Sequence, residues 1–407
     1  MINRPAMIAK ITMSENKSIW IIAGESSGDD YGARLAEALR AQEPGVRLKG
    51  MGGGQMRQAG VETVIDASEL GIVGIFEVLR HLPLFIRLFR DLVEQIRRDD
   101  PAVVVLIDYP GFNIRLAQRL RRLNIPVVYY ISPQVWAWKK GRIPKIAASV
   151  TRMLCIFPFE PAVYAGTGLR AEFVGHPLLQ ILAPWRESGQ ERDQNLVLLL
   201  PGSRSGELQR LLPPLLETAS ILHQQRPELH FEIPLPRASS LEMARQIMAA
   251  QKNLAGLPEI AFSVGRTRER MSVAIAGVAA SGTVTVEAAI LGLPLVVVYK
   301  VNWLTWQVAR RLVKLPYITI ANLVTKSCVY EELLQKDAEA TKISEALLEI
   351  LPGGQRHASV LEGIEKTVAM LGGDADVSAS VAQHVLETGC RVQGAGGRCA
   401  EGAVRGA

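Results

Sequence analysis

The chain has 407 residues, 48% of them apolar and 21% charged, an ordinary globular balance that excludes global disorder. Its length implies two or three domains. The 46 Lys and Arg against 40 Asp and Glu leave a formal charge of +6. That mild excess suits an anionic partner, such as a membrane surface, a phosphorylated substrate or a nucleic acid, without choosing among them.

Taken in chain order, compact runs rich in Ile and Val and bounded by turn residues predict buried strands at 18–24, 102–108, 126–132 and 152–157. Amphipathic stretches between them predict helices over 30–42, 82–98 and 114–123. Such βαβ alternation implies a parallel sheet covered by helices on both faces. The pattern restarts with a strand and turn at 195–204, further strands at 230–235, 273–281 and 293–300, and helices near 206–225, 239–252 and 283–292. We therefore expect an α/β protein of two doubly wound halves, residues 18–175 and 176–388, facing each other across an interdomain cleft. The tail 389–407 has six Gly, four Ala and no apolar periodicity, and is expected to be disordered. No charge-free stretch is long enough for a transmembrane helix. The N-terminus lacks a continuous apolar segment with a small-residue cleavage site, so no secretory signal is expected.

In open α/β sheets, ligands bind beyond the carboxyl ends of the strands. Five turns there carry unusual residues. Gly24-Glu25-Ser26-Ser27-Gly28-Asp29 does not match the dinucleotide pattern G-x-G-x-x-G. It reads either as a tight turn with a helix cap or as a loop that admits a polar sugar. Asp108 ends a strongly apolar strand and opens Asp108-Tyr109-Pro110-Gly111-Phe112-Asn113. A carboxylate buried there would gain basicity and become a general base; capping the next helix is the plainer role. Ser132-Pro133-Gln134-Val135-Trp136-Ala137-Trp138-Lys139 suits a cleft wall or ordinary packing.

In the second half, Leu200-Pro201-Gly202-Ser203-Arg204 combines backbone donors with a guanidinium fork suited to phosphate. Ser281, Gly282 and Thr283 open a helix, and Glu287 follows one turn later. That arrangement fits an anion at the helix N-terminus and a carboxylate for ribose hydroxyls, although an acid near a helix start also stabilises the dipole. Together these residues read as a nucleoside-diphosphate site. The six His are scattered, no DxD triplet occurs, and the four cysteines (Cys155, Cys328, Cys390, Cys399) form no CxxC. A reducing compartment, no metal and no cofactor are expected. Arg204 and the helix dipole would then stabilise a departing diphosphate.

Residues 70–90 interleave Ile72, Val73, Ile75, Phe76, Val78, Leu79, Leu82, Phe85 and Ile86 with Arg80, Arg87 and Arg90. The stretch reads as a core helix or as an apolar, basic patch dipping into anionic headgroups. It has no continuous basic face, so no nucleic-acid partner is expected.

Seven motifs, in order, resemble the lipid-A-disaccharide synthase family. They are Gly24–Asp29, Gly71–Leu79, Ile107–Asn113, Ser132–Trp138, Gly175-His176-Pro177, Leu200–Arg204 and Ala280–Thr283. The likeness spans about 18 to 388. It implies a GT-B fold of two Rossmann-like domains, with the acceptor side on the first and UDP-sugar on the second. It implies an inverting transfer from UDP-2,3-diacylglucosamine to the 6-hydroxyl of 2,3-diacylglucosamine 1-phosphate (lipid X), giving the β-1',6 disaccharide 1-phosphate and UDP. The resemblance places the catalytic acid on Asp108 and the diphosphate-binding Arg on Arg204. It puts Glu25, Ser27 and Gly28 on the acceptor side, and Gly202, Ser203, Ser281, Gly282, Thr283, Glu287, Asn322, Glu332 and Gln335 on the donor side. It also implies a homodimer, cytoplasmic and peripheral on the inner face of the inner membrane, with 70–90 as the contact. Two departures stand out. Gly111 stands where some members have a second Asp, and Glu331 where Pro is usual. Two alternatives remain open: another GT-B enzyme such as a UDP-sugar 2-epimerase, and a non-catalytic lipid-binding protein at a membrane.

Overall fold

The computed structural model describes residues 17–67, 82–251, 256–312 and 315–393. The chain forms two compact units, residues 1–177 with 375–407, and residues 178–374.

The first unit holds a seven-stranded, wholly parallel sheet: β1 (Ser18–Ala23), β2 (Arg47–Gly52), β3 (Glu62–Asp66), β4 (Val103–Ile107), β5 (Val127–Tyr130), β6 (Arg152–Cys155) and β7 (Arg170–Phe173). Their spatial order is 3-2-1-4-5-6-7. The second unit repeats the plan with β8 (Asp193–Leu200), β9 (His230–Leu235), β10 (Ile260–Val264), β11 (Ala274–Ala280), β12 (Leu295–Tyr299) and β13 (Glu331–Leu334), in the order 10-9-8-11-12-13, again all parallel. Both orders reverse direction once, between β1 and β4 and between β8 and β11. A crevice opens at such a reversal because the connections leave to opposite faces. The turns after those four strands are Gly24–Gly28, Asp108–Asn113, Leu200–Arg204 and Ala280–Thr283, so the folds position the sequence motifs at the two switch points.

Strands buried on both faces need apolar residues at every position, not at alternate ones. β1 and β4 are buried throughout, which is why their sequences read so clearly. Edge strands cover one face only and meet solvent. β3, β7, β10 and β13 are partly exposed, and the sequence reading misses all four: β3, β7 and β13 each carry two charged residues, and β10 (IAFSV) is largely apolar but short and partly exposed. β2 (RLKGMG) is missed too, although it is internal. Its Gly50 is required by close backbone packing, since a Cβ there would lie 1.9 Å from the Ile21 carbonyl oxygen.

Two expected boundaries need correction. Residues 375–388 do not belong with the second half. After Asp374 the chain returns to the first unit as the helix Val377–Gln393. That helix packs on the helix Ser26–Gln42, with Gln42 Nε2 donating to the Ala379 carbonyl at 2.8 Å. Buried Arg152, from β6, ties it down by pairing with Glu387 at 2.9 Å and with Glu172. Nor does disorder begin at 389: residues 389–393 complete this helix. Gly389 lies against β4, where a Cβ would stand 3.3 Å from the Ala102 Cβ. Residues 394–407 lie outside the described residues.

Candidate active site

In the first unit, the two turns at the switch point touch. Tyr109 lays its ring directly on Gly24, where a Cβ would fall 2.3 Å from the ring. Asp108 and Tyr109 are consecutive left-handed residues, with φ of 43° and 45°. Each costs on the order of 1–3 kcal/mol and persists only where its surroundings over-determine it. Here they do. The Asp108 amide donates to the Tyr130 carbonyl at 3.0 Å. The Asp108 carbonyl accepts from the Tyr129 hydroxyl at 2.6 Å and from buried Asn113 Nδ2 at 2.9 Å. The side chain is thereby turned out of the strand path at the sheet's carboxyl edge. Burial, reinforced by the charge of Glu25, pushes the Asp108 carboxyl up to about 6.

Of the residues expected on the acceptor side, Glu25 and Ser27 are exposed, and Gly28 is buried against Ala23. Asp29 caps, but not its own helix. Its carboxylate accepts the Gly53, Gln55 and Met56 amides at 2.6, 2.9 and 3.1 Å, fixing the start of the helix Gly54–Gln58.

The segment after β6 holds a second acid that the sequence reading passed over. Glu160 is fully buried and accepts from Trp136 Nε1 at 3.1 Å and from the Ile156 and Phe157 amides at 3.2 and 3.1 Å. Burial pushes it up to about 7, with the Asp108 charge contributing. His176, which packs on Phe157, is lowered by burial to about 3 and is therefore neutral. The available signal was an acid inside an aromatic run directly after a strand, Phe157-Pro158-Phe159-Glu160.

The second unit gathers its motif residues in one cavity of about 670 Å³. Gly202, Ser203, Arg204, Ser281, Gly282, Thr283 and Glu287 all line it, with Arg266 and Arg268 beside them. Two details differ from the simplest expectation. The Ser203 and Arg204 amides are already taken, donating to Glu207 Oε2 at 3.1 and 3.3 Å; the Ser281 amide donates to the Val298 carbonyl at 3.1 Å. The Arg204 guanidinium, 84% exposed, donates one N–H to Glu207 Oε1 at 3.2 Å and keeps its other N–H groups toward solvent. Glu287 is 14% exposed, and its Oε1 lies 3.0 Å from Arg268 Nε and 2.9 Å from Nη2.

Asn322, Glu332 and Gln335 do not line this cavity. Glu332 accepts the Ile318 and Thr319 amides, the Thr319 hydroxyl and Asn322 Nδ2. Asn322 is fully buried and also bonds the Tyr330 backbone on both sides. These two residues tie a loop together. Gln335 Oε1 accepts weakly from the Val301 amide, at 3.4 Å, and its Nε2 is buried with no hydrogen-bond partner.

The lipid-A-disaccharide synthetase family model matches residues 19–382. A lipid-A-disaccharide synthase from Anaeromyxobacter sp. strain K is 37% identical, the match covering 90% of this chain and 96% of that protein. Its counterpart from Geobacter sulfurreducens is 42% identical over 82% of this chain and 88% of that one. The chain belongs to the lipid-A-disaccharide synthetase family. Its fold is GT-B, as the likeness to the UDP-GlcNAc 2-epimerase of Neisseria meningitidis also shows (TM-score 0.61, 13% identity, 91% of this chain and all of that one).

Against this family, the two departures have structural readings. Gly111 lies in open space, where a Cβ would meet nothing within 4 Å, so a side chain could stand there but none does. Glu331, in place of Pro, starts β13 and pairs with Arg356 at 2.6 Å. Of the residues expected to contact a membrane, Ile72, Val73, Ile75, Phe76, Val78 and Leu79 lie outside the described residues. Leu82, Phe85 and Ile86 belong to the helix Leu82–Asp99. Ile86 is 47% exposed, whereas Leu92 and Ile96 further along are fully buried. That helix therefore serves the core from its middle onward. Among the described residues, no helix is long and apolar enough to cross a membrane.

Proposed function

We propose that this chain is the inverting glycosyltransferase that joins UDP-2,3-diacylglucosamine to lipid X, forming the β-1',6-linked lipid A disaccharide 1-phosphate and releasing UDP. One observation carries the reading. Seven motif residues separated by some eighty positions in sequence line a single cavity at the second switch point, where this family's donor is expected.

Asp108 takes the proton from the acceptor 6-hydroxyl as that oxygen attacks the anomeric carbon. A carboxyl raised to about 6 is ionised at neutral pH yet more basic than an exposed one, which suits a general base. Arg204, with the helix start at Gly282 and Thr283, receives the diphosphate charge as it develops. The Glu287 carboxylate accepts a ribose hydroxyl. Asn322 and Glu332 act on the donor through the loop they tie, and Gln335 offers its unpartnered Nε2. Glu25, Ser27 and Gly28 border the acceptor. The protein works as a homodimer on the cytoplasmic face of the inner membrane, held there by the 70–90 stretch.

The decisive experiment incubates purified protein with both substrates and a chelator and follows disaccharide and UDP by mass spectrometry. Disaccharide with stoichiometric UDP is expected. Vesicle binding without UDP release would instead favour a lipid-binding protein, and epimerised UDP-sugar without disaccharide would favour an epimerase.

A further inference from the structure

The segment after β5 carries a cationic cluster that the site described so far does not use. Lys139, Lys140 and Arg142 follow the short helix Val135–Trp138. Among the described residues, no carboxylate stands within ion-pair distance of any of them, although the chain pairs most of its other buried or half-buried cations, as at Arg152, Arg268 and Arg270. Unpaired cations held on a rigid scaffold are what an anionic ligand requires.

The topology puts this cluster beside Asp108. β4 and β5 are parallel neighbours in register, Ile107 opposite Tyr130, so the chain leaves both strands at the same edge of the sheet. Asp108 follows β4 directly, and residues 131–142 follow β5. Tyr129 joins the two. Its hydroxyl donates to the Asp108 carbonyl at 2.6 Å, and the Arg142 charge acts on the same phenol, opposing the effect of its burial. A backbone bond from the Arg142 amide to the Lys139 carbonyl, at 2.9 Å, holds the turn closed. Lys139 Nζ lies 3.6 Å above the ring of Trp138, which is 51% exposed, so the ammonium is braced at the surface.

We propose that Lys139 and Arg142 bind the phosphomonoester of the acceptor sugar and so select the phosphorylated acceptor over its dephosphorylated form. The inference rests on the transferase reading above. In a 6-hydroxyl acceptor bearing a 1-phosphate, the nucleophile and the dianion stand at opposite ends of one pyranose ring. Asp108 and Arg142 both act on the Tyr129 phenol, and the segment carrying Lys139 and Arg142 leaves the same sheet edge as Asp108, which matches that layout. The guanidinium of Arg142 forks two oxygens, and Lys139 adds a point charge.

The test compares kcat/KM for 2,3-diacylglucosamine 1-phosphate and for 2,3-diacylglucosamine in the full-length protein and in Arg142→Ala, Arg142→Lys and Lys139→Gln. Each ratio is internal to one protein, so a partly unfolded variant does not distort it. The wild-type protein should prefer the phosphorylated acceptor. Arg142→Ala should shrink that preference by roughly 10- to 100-fold, the range of a lost charge-assisted phosphate contact. Arg142→Lys should restore part of it. An unchanged ratio in Arg142→Ala and Lys139→Gln overturns the proposal while leaving the transferase reading intact. So does an unchanged ratio accompanied by loss of binding to phosphatidylglycerol vesicles, which would make the cluster a membrane contact. A wild-type protein that releases UDP with neither acceptor overturns the transferase reading itself.

Discussion

Asp108 combines a left-handed backbone with a carboxyl that holds its proton unusually tightly, and both features have measurable consequences. As the base, it must be ionised, so kcat/KM should rise with pH through about 6 and then level off. Asp108→Asn should lower turnover by roughly 10²- to 10⁴-fold while leaving UDP affinity, measured by calorimetry, near the wild-type value. The same residue should cost stability at neutral pH. Its folded pKa is raised above 3.8, so its stabilising contribution is complete below about pH 4 and is lost as pH rises through 6. Asp108→Asn, which mimics the neutral acid, should therefore unfold at higher denaturant at pH 8 than the wild type, by on the order of 3 kcal/mol, with little difference at pH 4. No gain at pH 8 would mean that the carboxyl is not held in a desolvated place. The position of Asp108 was legible because a lone acid ends a run of six apolar residues, 102–107. Glu160 was not, because its role depends on Trp136, 24 positions earlier, and one-dimensional spacing does not report that contact.

At the scale of elements, the 200–204 turn shows how a motif can be right while its chemistry shifts. A Gly-containing turn before a helix suggested free backbone amides for phosphate. The fold instead gives the Ser203 and Arg204 amides to Glu207, and Gly202, at φ 101°, makes room for that carboxylate, whose Oε2 would lie 2.3 Å from a Cβ. Glu207 sits three residues into the helix, the capping-box position from which a carboxylate reaches back to these amides. Phosphate recognition is thus left to the Arg204 side chain. Arg204→Ala should raise the UDP dissociation constant by roughly 10-fold or more, and isothermal titration checks this. An unchanged constant would move the diphosphate elsewhere in the cavity, toward Arg266 or Arg268. Those two arginines were not singled out in sequence, since the short, partly exposed edge strand they follow, β10, was not recognised.

For the molecule as a whole, the return of residues 375–393 to the first unit matters most. A helix added after 374 residues looked like the end of the second half, because sequence order is the only cue to membership. Its placement is decided by the surface it covers and by Arg152, which is buried against Glu172 and Glu387. Arg152→Met removes the buried cation that Glu172 and Glu387 share, leaving Glu172 only its pairing with Arg170 at 3.0 Å. It should cost about 3 kcal/mol and make the 375–393 segment an early site of limited proteolysis. Protease resistance unchanged from the wild type would show that apolar packing alone anchors the helix.

The sequence by itself determined that this protein has two parallel α/β folds, where their central strands run, and which turns carry polar residues beyond strand ends. Those features follow from local composition, since strands buried on both faces must be apolar throughout and the residues that end them stand out. Only the tertiary structure decided which amides and carboxylates are spent on each other, that Glu160 is buried against Trp136, and that the last helix belongs to the first unit. These depend on groups far apart in the chain meeting where water is excluded, and burial and pairing across such distances leave no periodic trace in the order of residues.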